Sequence, residues 1–308
     1  MKKIVVLAFA AFTLVGCSNQ QSKTAEQQTS AKHDFTALKT AIDSIAKSVH
    51  ARVALGYINI ETGDTFSYNG RTHVPTQSTI KFPLALMIMQ QVDSGKLKID
   101  QKFEVTEEEK KTPTNSTLLK DTKNATDVTV HTLLTYMTHV SDNISCFAFT
   151  RYVGGGKKIE EYVKVQGFNG IGVTQIEGKP YIDFKQPYKT WCEPMDMAAL
   201  LVKFYKGEIL SKTATDTLRG IMERTTGGTA RIKGLLPAGT VVAHKTGTSG
   251  TDDKGVTTAV NDIGIVTLPK GNHLVLTVYI TEVEGDMEAG EAIIARVAKA
   301  AYDDAIKN

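Results

Sequence analysis

The chain is short of the residues that announce several common chemistries. Its three cysteines, Cys17, Cys146 and Cys192, form no C-x-x-C pair, which excludes dithiol redox motifs and thiolate metal sites of that spacing. The seven histidines never fall in an H-E-x-x-H or comparable ligand pattern, so no metal and no cofactor is expected. The run "VGGGKK" has no Ser or Thr after its lysine and fails as a phosphate-binding loop. No internal period repeats. Neither sign of charge dominates: 36 Lys and Arg face 33 Asp and Glu, interleaved except in short runs such as "EEEKK", which gives nucleic acid no basic surface to bind. What remains, at 41% hydrophobic and 22% charged over 308 residues, is an ordinary globular composition able to bury a full core.

The N-terminus carries a conspicuous apolar run, "IVVLAFAAFTLV", too short to span a bilayer comfortably. Lys2 and Lys3 precede it and Gly16 and Cys17 follow, the order of a cleavable export signal over residues 1–16. The ending "LVGC" resembles a bacterial lipobox, which implies lipidation of Cys17. Residues 17–32 are polar and aperiodic, the composition of a flexible tether. The expectation is a periplasmic protein held to a bacterial membrane as a lipoprotein, with plain secretion to the periplasm as the alternative. Cys146 and Cys192 are then expected as two buried thiols.

Hydrophobic periodicity organises the rest. "DFTALKTAIDSIAKSV" reads as an amphipathic helix, and "RVALGYINIETGDTFSYNG" as a hairpin about the turn "ETGD". A long series of helical patterns follows, including "STIKFPLALMIMQQVDSGKL", "TVHTLLTYMTHVSDNISCFAFTRYVGG" and "CEPMDMAALLVKFYKG". Strands return in "TVVAHKTGTSG", "AVNDIGIVTLP" and "HLVLTVYITEV", before a closing helix. The fold expected is α/β in an α+β layout, with an antiparallel five-stranded sheet flanked by N- and C-terminal helices. Within a domain at 33–308, an α/β lobe would cover about 33–76 and 227–308. An all-helical lobe at about 77–226 would be inserted into it, leaving a cleft for a ligand.

Two S-x-x-K matches occur, Ser44–Lys47 and Ser78–Lys81, and the spacing alone does not separate them. Ser44 falls mid-helix among polar positions. Ser78 opens an apolar helix whose Pro83 is tolerated only near a helix start. A serine at a helix N-terminus meets free N–H groups and a dipole that favour an attacking alkoxide and the oxyanion it creates. Lys81, three residues on, shares its face. "SDN" (Ser141, Asp142, Asn143) and "KTG" (Lys245, Thr246, Gly247) each occur once, downstream and in that order.

This ordered trio resembles the class A serine β-lactamases and penicillin-binding proteins. The likeness runs from about residue 33 to the C-terminus. The stretches "FPLAL", "HKTGTSG" and "ND.GI..LP" are most similar to the extended-spectrum cephalosporinase branch with the PER-type and VEB-type enzymes. The resemblance implies Ser78 as nucleophile, Lys81 as its lysine partner and Ser141 as proton relay to the lactam nitrogen. It implies an oxyanion hole from the N–H groups of Ser78 and Thr248. Lys245 and Thr246 would hold the substrate carboxylate and Asn143 its amide side chain, with Gly247, Thr248 and Ser249 along the same edge. An extra cation would come from Arg231 or Lys233.

Hydrolysing the acyl-enzyme also needs a base aimed at water. In "GVTQIEGKPYIDFKQPYKTW" the acids are Glu177 and Asp183, and the family's spacing implies Glu177. The loop departs from the commonest pattern: Tyr181 stands where relatives often have Asn, and Gln175 and Thr190 stand where many have an Arg–Asp bridge. These departures bear on deacylation, not acylation. The activity implied is β-lactam hydrolysis on cephalosporins and penicillins by a monomer, conferring resistance. Alternatives within the resemblance are a DD-peptidase or transpeptidase, and a slow-turnover β-lactam-binding sensor.

Overall fold

A computed structural model of the chain describes residues 33–114, 116–175, 179 and 182–307. Cys17, Glu177 and Tyr181 lie outside the described residues. Helix α1 (Thr36–Lys47) leads into the hairpin β1 (Arg52–Asn59) and β2 (Thr65–Tyr68). Strand β3 (Val74–Pro75) enters a 3-10 turn, Gln77–Ile80, and then α2 (Lys81–Asp93). There follow α3 (Glu107–Lys110), α4 (Thr117–Asp121), α5 (Val130–His139), α6 (Asn143–Val153) and α7 (Gly156–Val165). Strands β4 (Ile171–Gly172) and β5 (Trp191–Cys192) precede α8 (Pro194–Tyr205) and α9 (Lys212–Glu223). The long strands β6 (Val242–Thr248), β7 (Val256–Thr267) and β8 (His273–Glu284) then lead to α10 (Met287–Ala305).

The expected sheet is present: five antiparallel strands in the order β2-β1-β8-β7-β6. Strand β8 shows why it sorts the molecule into layers. Leu274, Leu276, Val278 and Ile280 enter one core with Leu38 and Ile42 of α1 and Ile294 and Val297 of α10. Val275 and Tyr279, alternating with them, enter a second core built largely from α2, α5, α6, α8 and α9. Each face of the strand therefore has its own apolar cover, and β6, at the edge, has one side open.

Two elements differ from the sequence expectation. "TVHTLLTYMTHVSDNISCFAFTRYVGG" is two helices, because Ser141 takes φ +60° and Asp142 restarts the chain as the N-cap of α6. A small sheet, β3-β5-β4, was not visible in the pattern, since two-residue strands carry no period. Cys146 and Cys192 are buried free thiols, as expected. Among the described residues no helix is long and apolar enough to cross a membrane.

Candidate active site

From Val74 to Leu86 every residue is buried except Ser78. Gln77, just before it, has φ +46°, a left-handed conformation that costs a non-glycine residue energy and persists only where its surroundings impose it. Ser78 lies one turn earlier than expected: it is in the 3-10 turn, and Ile80 is the N-cap of α2. Ser78 and Lys81 still lie one turn apart on a shared face, because residues three apart eclipse in a 3-10 turn. Pro83 is the third residue of α2, where its missing N–H leaves no helical bond unmade. The other match is placed differently: Ser44 and Lys47 are exposed on α1.

The break between α5 and α6 brings SDN to this turn. One carboxylate oxygen of Asp142 accepts the Ser145 N–H at 2.9 Å; the other accepts the Ser116 hydroxyl at 2.6 Å and the Leu118 N–H at 3.1 Å. Buried and fully bonded, Asp142 joins α4 to α6 and sets its neighbours in place. The Lys81 amine donates to the Ser141 carbonyl at 2.5 Å and to Asn143 Oδ1 at 2.7 Å, with Ser141 Oγ at 3.4 Å. Asn143 in turn donates to the Thr114 hydroxyl at 2.8 Å.

Strand β6 closes the site from the other side. The Lys245 amine donates to Ser141 Oγ at 2.9 Å and to the Thr246 carbonyl at 2.8 Å. Two buried amines thus converge on one hydroxyl. Burial pushes the Lys81 amine below the ordinary lysine range, with the Asp142 charge acting in the opposite direction. Burial, together with the charge of Lys81, pushes Lys245 well below it; Asp262 opposes that shift. Ser249 N–H donates to the Ala259 carbonyl of β7 at 2.9 Å, so strand alternation turns the Thr248 N–H toward the open edge. The Ser249 hydroxyl accepts from the Ala259 N–H at 2.9 Å and is committed to the β7 backbone.

Of the two candidate extra cations, Arg231 is the one bonded to β6. Its guanidinium donates to Thr248 Oγ1 at 2.6 Å and to the Gly247 and Asn261 carbonyls at 3.1 and 2.7 Å, while Glu291 pairs with it at 2.9 Å. Lys233 is half-buried, and burial lowers its amine.

The neck of the loop after Thr174 is closed by hydrogen bonds, with no ion pair there among the described residues. Thr174 N–H donates to Thr190 Oγ1 at 3.1 Å, and Thr174 Oγ1 donates to the Lys189 carbonyl at 2.7 Å. Gln175 Oε1 instead accepts the Gly156 N–H at 2.9 Å. Asp183, the other acid of the loop, accepts from Lys185 N–H at 3.0 Å and Gln186 Nε2 at 2.9 Å. Phe184, which sequence reasoning missed, sets its ring centroid 5.4 Å from the Lys81 amine. It shares with Thr114, Asn143, Phe147 and Ile182 a cleft of about 550 Å³. No group of three or more His, Cys, Asp or Glu among the described residues could hold a metal ion.

Residues 37–305 match the family described as "Beta-lactamase enzyme family". The chain is 33% identical over 305 residues to beta-lactamase VEB-1 of Pseudomonas aeruginosa, covering 98% of this chain and 97% of that protein. It is 35% identical over 271 residues to the extended-spectrum beta-lactamase PER-1 of the same organism, covering 88% of each. The crystal structure of the TLA-1 extended-spectrum beta-lactamase superposes with a TM-score of 0.83 at 38% identity, over 87% of this chain and 98% of that one. Matched along nearly its whole folded length by sequence and by structure, the chain belongs to the beta-lactamase enzyme family.

Proposed function

We propose that this chain is a serine β-lactamase that hydrolyses cephalosporins and penicillins through a Ser78 acyl-enzyme and so confers resistance to them. The observation that carries the reading is the convergence of Lys81 and Lys245 on Ser141 Oγ, beside the one accessible residue of a buried, strained turn. Ser78 Oγ attacks the lactam carbonyl, and its proton leaves to Lys81 or, through water, to Glu177. Burial shifts the Lys81 amine toward its neutral form, the form that can accept a proton. The tetrahedral oxygen is held by the Ser78 and Thr248 N–H groups. The C–N bond breaks as Ser141 passes a proton to the lactam nitrogen. Lys245 and Thr246 hold the substrate carboxylate, Arg231 steadies Thr248 from behind, and Asn143 receives the amide side chain.

Water then attacks the acyl carbonyl as Glu177 takes its proton, releasing the opened acid and restoring Ser78. The commitment of both Asp183 oxygens within the loop supports Glu177 over Asp183 for that step. Mixing the protein with a chromogenic cephalosporin tests the whole reading. Many turnovers per enzyme with little persistent adduct are expected. A stoichiometric burst that leaves the enzyme acylated would favour a transpeptidase or sensor and overturn it.

The basic, apolar and small-residue segments at 1–17 support export to the periplasm and lipid anchoring at Cys17. Expressed in bacteria fed a labelled fatty acid, the wild type should carry label and Cys17→Ser should not; an unlabelled wild type would remove the anchor.

A further inference from the structure

Between Ser78 on its turn and Thr248 on β6 no covalent connection shorter than 169 intervening residues exists, yet their N–H groups must sit a fixed distance apart to grip one oxygen. We propose, building on the hydrolase reading above, that Asn261 is the positioning residue that sets this distance. Asn261 is fully buried on β7, where its backbone pairs with Gly247, the neighbour of Thr248. Its side-chain amide donates to the Pro75 carbonyl at 2.8 Å and the Thr76 carbonyl at 3.2 Å, the latter two residues before Ser78. One residue therefore holds both halves of the oxyanion site: the strand through its backbone, the nucleophile turn through its side chain.

The amide's orientation follows from chemistry. With Oδ1 turned toward two carbonyl oxygens, acceptors would face acceptors; with the NH2 group there, both carbonyls are satisfied. The cost is visible on the other side, where Asn261 Oδ1 is buried with no partner among the described residues. An unpaired buried oxygen is retained in exchange for a brace on a turn that contains the left-handed Gln77. The brace also reaches Arg231, which donates to the Asn261 carbonyl at 2.7 Å. Only a side chain with two donors on one atom and this short reach fits; Leu has the shape without donors, and Asp places a carboxylate against the same two carbonyls.

The test uses Asn261→Leu and Asn261→Asp with a slowly hydrolysed β-lactam, measuring the acylation rate constant, thermal unfolding, and the infrared band of the acyl carbonyl. Displacing one half of the oxyanion site should slow acylation about 10- to 100-fold. It should also move the carbonyl band to higher frequency, because fewer hydrogen bonds polarise the bond; a purely structural residue would lower the melting temperature without moving that band. Should Asn261→Leu fail to fold, the isosteric Asn261→Asp carries the comparison. A folded variant that acylates within about twofold of wild type with its carbonyl band unmoved would overturn the proposal. Failure of the hydrolase reading itself would show differently, as no adduct on Ser78 in the wild type.

Discussion

Gly247→Ala tests the packing of the site with the smallest possible change. The glycine is not in the left-handed region, so an alanine costs nothing in backbone conformation and its effect is steric. A Cβ there would lie 2.7 Å from the Thr76 carbonyl oxygen and 3.1 Å from both the Ser78 and Thr79 nitrogens. Comfortable contacts start near about 3.5 Å, so the turn or the strand must retreat by roughly 0.5 Å or more. Neither moves freely: Thr76 O is held by Thr79 Oγ1 at 2.8 Å and by Asn261, and β6 is paired along its length with β7. Overpacking of this kind costs about 1–3 kcal/mol, and a displacement approaching 1 Å at reacting groups costs about 100-fold in rate. Stopped-flow acylation should fall about 10- to 100-fold, with a lower melting temperature. Acylation within twofold of wild type at an unchanged melting temperature would refute the close approach of β6 to the Ser78 turn.

Other consequences are as direct. Lys245 is held well below its ordinary range, so between that lowered value and about 10.5 the unfolded chain binds more protons than the fold. The penalty of the buried ammonium is full below the lowered value and is relieved as pH rises, by at most about 1.4 kcal/mol per pH unit. Wild-type stability minus that of Lys245→Met, from urea titrations, should therefore increase from pH 7 toward 10; a flat or falling difference contradicts the buried charge. Thr190→Val removes the hydroxyl that closes the loop neck and should cost about 1–3 kcal/mol. It should slow deacylation more than acylation, since Ser78 is untouched; equal slowing in pre-steady-state kinetics would separate the neck from the water step. Ser44→Ala, on the exposed face of α1, should leave turnover unchanged.

The parts of the fold with long periods are legible in the sequence. Strand β8 alternates between two cores from Leu274 to Ile280, and α1 and α10 repeat apolar positions over three or more turns, so each declares its type and its buried face. Where backbone geometry departs from a period, the pattern misleads. The helix-like run through SDN conceals Ser141 at φ +60°, because Tyr136, Met137, Ile144 and Phe147 continue the apolar spacing across the break. Ser78 lies one turn ahead of the helix that its spacing has it open, for a similar reason, since a 3-10 turn and a first α-turn share their i, i+3 signature. Motif residues were legible because their chemistry is carried by side-chain identity in order along the chain. Their supports were not: Phe184 and Asn261 act through contacts from a loop and a strand that sequence distance does not connect, and Asn261 is visible only as part of "ND".

The central claim is that one serine carries the chemistry. Intact mass and peptide mapping should be taken during cephalosporin turnover on the wild type, Ser78→Ala and Glu177→Ala. Glu177→Ala should accumulate a stoichiometric acyl adduct that maps to the peptide containing Ser78, the wild type should show turnover with little adduct, and Ser78→Ala should show neither. Hydrolysis by Ser78→Ala, or an adduct mapping to any other residue, would contradict the account.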